Sequence, residues 1–371
     1  MDVLVEAARL ASADATRLRE AASRVRDWDA LVELARWHRV VPFVSRQVTA
    51  HALDAVAESA LKRLHDAARE VAVRALASAH ELVRVLDGFA SAGVRALAYK
   101  GPALALAAYG DVGLRDCVDL DFVVSPADVS RARDTLVSLG YRQREGMSRA
   151  QEGAIYGGQG HFPYVSDKGF AELHWRFAAT RFPWNPQLEP ILDRCTTVQL
   201  AGARIAVPAR EDQLLLLLLH GTRHVWAELE CVLAVTELLR AGTVDGGALL
   251  DRARAVGGRR AALVGLEVAR LALGAPVPEP LVAEAARDAH VASLAREALA
   301  CLCEGSSASP LQRNNARRYH LLCLERRRDR LRFVVQSALR PTPREWELVR
   351  LPDVLTFLYV PIRIGKLLLR R

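Results

Sequence analysis

The stretch RDCVDLDFVV, residues 115–124, decides how this chain is read. Asp119 and Asp121 stand one residue apart at the start of an apolar run. Strand side chains alternate between faces, so the two carboxylates share one face while Val118, Leu120 and Phe122 take the other. The apolar Phe122-Val123-Val124 that follows argues for a strand buried on both faces. Carboxylates about 6–7 Å apart along such a strand repel each other unless something positive sits between them. A divalent cation does this well, and Mg2+ prefers hard oxygen ligands and keeps substrate phosphates in its shell.

Working outward, GFAELHWRF at 169–177 is a second alternating segment. Phe170, Glu172, His174 and Arg176 share one face by alternation; Ala171, Leu173, Trp175 and Phe177 form the apolar, core-facing set. Were this strand to neighbour the first in one sheet, Glu172 would join the aspartates as metal ligand or as base. Upstream, VRALAYKG at 94–101 reads as a short strand ending in Lys100-Gly101, a place where phosphate-binding loops occur. Pro102 fits the first turn of the helix that follows. Only four of the chain's 51 basic residues are lysines, so an isolated Lys100 is informative. Taken alone, Asp-x-Asp also suits a solvated strand face; the buried run, the second acidic strand and the Lys-Gly turn favour the metal site.

The 371 residues suffice for two or three domains with a sizeable core. A net charge of +8 favours phosphate-bearing partners. Six cysteines show no metal or disulfide spacing and point to reduced thiols in a cytoplasmic protein. The N-terminal MDVLVEAARL reads as an amphipathic helix rather than a signal peptide, and no apolar run is long enough to span a membrane. Periodicity divides the chain into a helical region at 1–90, a small α/β centre at 91–208 and a helical region at 209–371. The fold class is therefore α+β. Within the centre, Ser125 and Pro126 should open a helix, and TVQLAGARIAVP (197–208) should be a hairpin turning at Ala201-Gly202.

In LLLLLLHGTRHVW (214–226), His220 and His224 share a helix face, but no Glu follows His220 and no third ligand is suitably spaced. They read as a polar patch facing a cleft or as a helix seam satisfied by carbonyls. YGGQGH (156–161) lacks the strand–helix context of a dinucleotide loop and reads as a mobile turn or lid. ERRRDRLRF (325–333) reads as a solvated helix face, because aromatic residues are not interleaved as nucleic-acid stacking requires. The tail FLYVPIRIGKLLLRR (357–371) is expected to dock on the helical region rather than on a membrane.

These motifs resemble the uncharacterised nucleotidyltransferase family of bacterial biosynthetic gene clusters, a branch of the polymerase-beta-like nucleotidyltransferase superfamily. The residues that carry the likeness are Lys100, Gly101, Arg115, Asp119 and Asp121, then Glu172, His174 and Trp175, then His220, Gly221, His224 and Trp226. Val118 departs from the glycine usual before the first aspartate. The resemblance implies a small polymerase-beta-like core, a mixed sheet with helices, flanked by the two helical regions. It also implies a transferase with Mg2+ or Mn2+ held by Asp119, Asp121 and Glu172, and an NTP donor. Lys100, Gly101, Arg115, His174, His220 and His224 would serve the donor, with Arg115 reaching a phosphate or simply pairing with an acid. The implied reaction moves a nucleoside monophosphate to a hydroxyl or phosphate of a small molecule, sugar or peptide natural product; nucleic acid is a less favoured acceptor. Two alternatives remain at this point: glycosyl or other group transfer onto a phosphorylated peptide through the same metal cleft, and a non-catalytic nucleotide-binding or antitoxin-like module.

Overall fold

The computed structural model describes residues 1–9, 15–143, 149–304, 316–340, 346, 348–349 and 351–368. Its centre is a five-stranded mixed sheet. The strands are β1 (Ala96–Ala98), β2 (Asp119–Val124), β3 (Arg142–Gln143), β4 (His161–Ser166) and β5 (Gly169–His174), in the spatial order β1-β2-β5-β4-β3. Strands β2 and β5 run parallel with Asp121 opposite Glu172, and every other neighbouring pair is antiparallel. The hairpin β6 (Thr196–Leu200) and β7 (Ala203–Val207) turns at Ala201 and Gly202, both at positive φ (48° and 82°), as two-residue hairpin turns demand.

Both faces of the sheet are covered, which is why β2 continues into an unbroken apolar run. On one face the long helix Glu58–Ser91 contributes Leu82, Val85 and Phe89, which pack on Leu120, Phe122, Ala171, Leu173 and Trp175. Phe89 meets Phe122 edge to face, with ring centroids 5.3 Å apart. On the other face Leu97, Tyr99 and Val123 meet Phe177, Ile191 and Leu216, the last from the helix Arg210–Arg223. The largest apolar core is helical and joins residues from before and after the sheet, Leu4, Val44 and Leu64 among them with Leu218, Leu263 and Leu294. Each such fully buried aliphatic side chain stabilises by roughly 1.5–3 kcal/mol relative to exposure. The described cysteines are free thiols. No described helix is long and apolar enough to cross a membrane.

Several local expectations are corrected. Val118 precedes the strand and is 54% exposed, so it does not share the buried face of Leu120. Strand β5 ends at His174; beyond it the alternation lapses, and Phe177 joins the cluster on the opposite face from Trp175. Ser125 makes no side-chain cap, and a short 3-10 turn, Pro126–Asp128, precedes the helix Val129–Ser138. Of the segment expected to be a mobile turn or lid, 156–158 end the helix Arg149–Gly158, Gln159 and Gly160 make the turn, and His161 opens β4. Strand β3 is limited to Arg142–Gln143, and 369–371 of the tail lie outside the described residues. The tail before that point forms the helix Tyr359–Leu368, fastened where Arg363 Nε donates to the Ser337 carbonyl at 2.9 Å.

Candidate active site

Because Asp119 and Asp121 are two residues apart on β2, their carboxylates leave the sheet on one face. Parallel register then sets Glu172 beside Asp121, and antiparallel register sets His161 of β4 opposite His174 of β5. All three carboxylates, His161 and Lys100 line a cavity of about 610 Å3. Its opposite wall is the end of the Arg210–Arg223 helix and the turn after it, with His220, Arg223, His224 and Val225; Arg39, Arg115, Glu228 and Glu230 complete the lining. A larger open groove of about 810 Å3 runs past Arg240, Gly242 and Gly274, but none of the residues lining it is acidic.

Asp121 is the electrostatic hub. It is 3% exposed, and its Oδ1 accepts from Lys100 Nζ at 3.2 Å and lies 3.0 Å from His174 Nε2. Burial alone would raise its carboxyl; Lys100 and His174 outweigh that and hold it well below the usual range. The same His174 Nε2 is 3.0 Å from Glu172 Oε2. Burial opposes the imidazolium, yet the hydrogen bonds to Asp121 and Glu172 raise His174 above its ordinary value. Glu172, half-buried, is lowered despite burial by His174 and His161. Asp119 differs. It makes no hydrogen bond or ion pair among the described residues, and burial together with the Asp121 charge pushes its carboxyl upward. A carboxylate without a partner, next to two others at one cavity wall, is a hard-oxygen donor set that a divalent cation fits.

Gly101 has φ +57°, a left-handed conformation open to glycine, and a Cβ there would stand 3.5 Å from the Asp119 carbonyl oxygen. The Lys-Gly turn thus lays the start of the helix Gly101–Tyr109 against β2, and Lys100 reaches Asp121 from it. Arg115 lines the cavity in a buried ion pair: its Nε donates to Glu230 Oε1 at 2.6 Å. That carboxylate is an acid partner of the kind the sequence offered beside a phosphate. His220 and His224 do face the cavity, but Arg223 donates to His220 Nδ1 at 3.0 Å and to His224 Nε2 at 3.3 Å, which sets a cation where a zinc ion would need to be. Burial and the nearby cations keep both imidazoles neutral, His224 falling to about 3 and His220 well below its ordinary value.

Residues 24–274 match the profile of the uncharacterised nucleotidyltransferase family. The chain belongs to this family. A search of curated proteins finds no match. The nucleotidyltransferase match takes in the whole sheet, the cavity wall at Trp37 and Arg39, and the helix Arg210–Arg223.

Three features of this nucleotidyltransferase site escaped the sequence reading. His161 belongs to a strand whose Phe162 and Tyr164 alternate inward, a signal hidden by the preceding glycines. Trp37 ends the helix Trp28–Trp37 and Arg39 lies in the turn after it, and the tertiary pairing of Arg39 with Glu228 at 3.7 Å has no local trace. Arg223 is the third. Lys100, Arg115 and Arg39 each face a carboxylate, whereas among the described residues the Arg223 side chain hydrogen-bonds only neutral groups, the two imidazoles and the Phe177 carbonyl at 3.2 Å.

Proposed function

We propose that this nucleotidyltransferase moves a nucleoside monophosphate from an NTP to a hydroxyl or phosphate oxygen of a small molecule, sugar or peptide. The supporting observation is the polarity of the cavity. Asp119, Asp121 and Glu172 occupy the sheet wall, and Arg223, without a carboxylate partner among the described residues, occupies the helix wall facing it. The acidic wall suits cations and the arginine suits phosphate.

A divalent cation bound by Asp119, Asp121 and Glu172 would supply the positive charge that stabilises the entering and leaving oxygens of an in-line displacement. Lys100, tied to Asp121, adds a fixed ammonium at the same wall. Arg223 holds the phosphate tail so that the α-phosphorus faces the acceptor. The acceptor oxygen forms a bond to that phosphorus, the bond to the bridging oxygen of the β-phosphate breaks, and pyrophosphate leaves with its electron pair. The acceptor proton passes to Glu172, whose Oε1 makes no hydrogen bond among the described residues while Oε2 is engaged by His174. Arg115, clamped to Glu230, positions the wall and touches no substrate.

The test is incubation with each labelled NTP, Mg2+ or Mn2+, and candidate acceptors. Pyrophosphate release with a nucleotide mass added to an acceptor is the expected result. Asp119→Asn should lower turnover by about 10^3-fold, the several kcal/mol that metal-assisted charge stabilisation supplies. It should not lower the melting temperature, because the substitution removes a carboxylate already disfavoured by burial and by Asp121. Unchanged turnover in that variant, or a hexose mass in place of a nucleotide, would sink the proposal.

A further inference from the structure

We propose that the cation position beside β5 takes nitrogen as well as oxygen donors, His161 Nε2 and His174 Nε2 with Glu172 Oε2, and so selects a first-row transition ion over Mg2+. The inference deepens the nucleotidyl-transfer reading and rests on it for its catalytic meaning. The metal preference itself is measurable without turnover.

The geometry of the donors carries it. One ligand atom from each of His161, Glu172 and His174 can be chosen so that all lie within 4.8 Å of one another. His174 Nε2 is 3.0 Å from both Asp121 Oδ1 and Glu172 Oε2, and His161 Nε2 is 3.8 Å from Glu172 Oε2. Two donors held ~2.1 Å from one ion are ~3.0 Å apart at right angles and ~4.2 Å apart when opposite. The 3.8 Å separation falls within that span, and it is too long for a hydrogen bond. The His161 ring makes no hydrogen bond among the described residues, although it lines a polar cavity. Its ring instead stacks on His174, with centroids 4.8 Å apart and planes 23° apart, because the two residues are direct cross-strand partners. The backbone register therefore places both histidines on the sheet face that carries Glu172. Mg2+ is served by oxygen and water, whereas imidazole suits the later first-row ions, and a mixed imidazole–carboxylate set favours ions of the Mn2+, Co2+ and Zn2+ type. Asp119, with no imidazole near it in this set, remains an all-oxygen donor for the phosphate-bearing cation.

The probe is Mn2+ added to the metal-free full-length protein, followed by electron paramagnetic resonance with pulsed detection of nitrogen-14 coupling, and with Mg2+ as competitor. Wild type should bind Mn2+ with nitrogen coupling and prefer it to Mg2+. His161→Ala should weaken Mn2+ binding by about tenfold or more and alter the nitrogen signal, while Mg2+ affinity stays within about twofold. Should His161→Ala fail to fold, His161→Asn keeps a polar side chain and is read in the same way. Absence of nitrogen coupling in wild type, or unchanged Mn2+ affinity in a folded His161 variant, overturns the inference. The two failures are distinguishable. Nitrogen coupling without nucleotide consumption supports the mixed donor set and sinks the transfer reading. Turnover with Mg2+ in a protein without coupling does the reverse.

Discussion

Arg223→Gln is the perturbation that tests the polarity of the cavity most directly. The wild-type guanidinium is held by His220 Nδ1 at 3.0 Å, His224 Nε2 at 3.3 Å and the Phe177 carbonyl at 3.2 Å. None of these partners is an acid, so its removal leaves no buried carboxylate behind, and the fold should tolerate the change. What is lost is the one cavity cation that no anion neutralises among the described residues. A hydrogen bond from a charged donor contributes about 1.5–3 kcal/mol, which at 1.4 kcal/mol per decade corresponds to roughly 10–150-fold in affinity.

The KM for the NTP should therefore rise by that factor, with a smaller change in kcat, since the contact exists in the bound ground state as well as in the transition state. Inorganic tripolyphosphate carries the phosphates without a base and is the cleaner ligand, and its affinity by titration calorimetry should fall in parallel. Arg223→Lys should restore part of the loss by returning the charge without the planar fork. A folded Arg223→Gln protein that binds tripolyphosphate as tightly as wild type would refute the assignment. A wild type that binds none at all would refute the triphosphate donor instead.

Other outcomes follow from packing and charge. Gly265→Ala places a Cβ 2.4 Å from the Trp226 ring; overpacking of this kind costs about 1–3 kcal/mol, to be read from the urea midpoint. Glu230→Ala strands the buried Arg115 charge and should cost about 3–5 kcal/mol, whereas the double change Arg115→Met with Glu230→Leu should recover most of it. Glu81 is depressed below its ordinary value: burial opposes the charge, but Arg84 and the Tyr141 hydroxyl, at 2.7 Å, stabilise it. A depressed carboxyl stabilises the fold above its unfolded pKa and loses that contribution as pH falls through the folded value. Stability should therefore drop below about pH 4, and Glu81→Gln should flatten this acid limb in denaturant titrations.

Much of the acidic wall was legible because alternation in a strand is a two-residue rule. Asp119 and Asp121 had to share a face, and Glu172 and His174 had to oppose Leu173 and Trp175. Where regular backbone ends, the rule fails, and Val118 and Phe177 fell on the wrong side for that reason. The β2–β5 pairing that brings Glu172 to Asp121 is parallel and non-local, so no turn chemistry advertised it. Arginine is so common in this chain that Arg223 carried no local signal. Its distinction is that it pairs with no acid among the described residues, which only the tertiary structure displays.

The third motif, His-Gly-x-x-His-x-Trp, is best understood as the device that holds Arg223 at the cavity. Trp226 is fully buried and folds back over its own helix, its amide donating to the Gly221 carbonyl at 2.9 Å. A Cβ at Gly221 would stand 2.5 Å from the indole, so glycine is required there. To make this reversal, Val225 and Trp226 both adopt φ near 55°. Left-handed backbone costs an L residue about 1–2 kcal/mol, and a β-branched valine is among the least tolerant. That strain persists because Trp226 is wedged between Gly221 and Gly265 and because His320 Nε2 lies 3.0 Å from the Arg223 carbonyl oxygen, pinning the helix end. His220 and His224 then grip the guanidinium from either side. On this view the motif residues are positioning residues, and the side chain that meets the phosphate is one that the motif leaves unspecified.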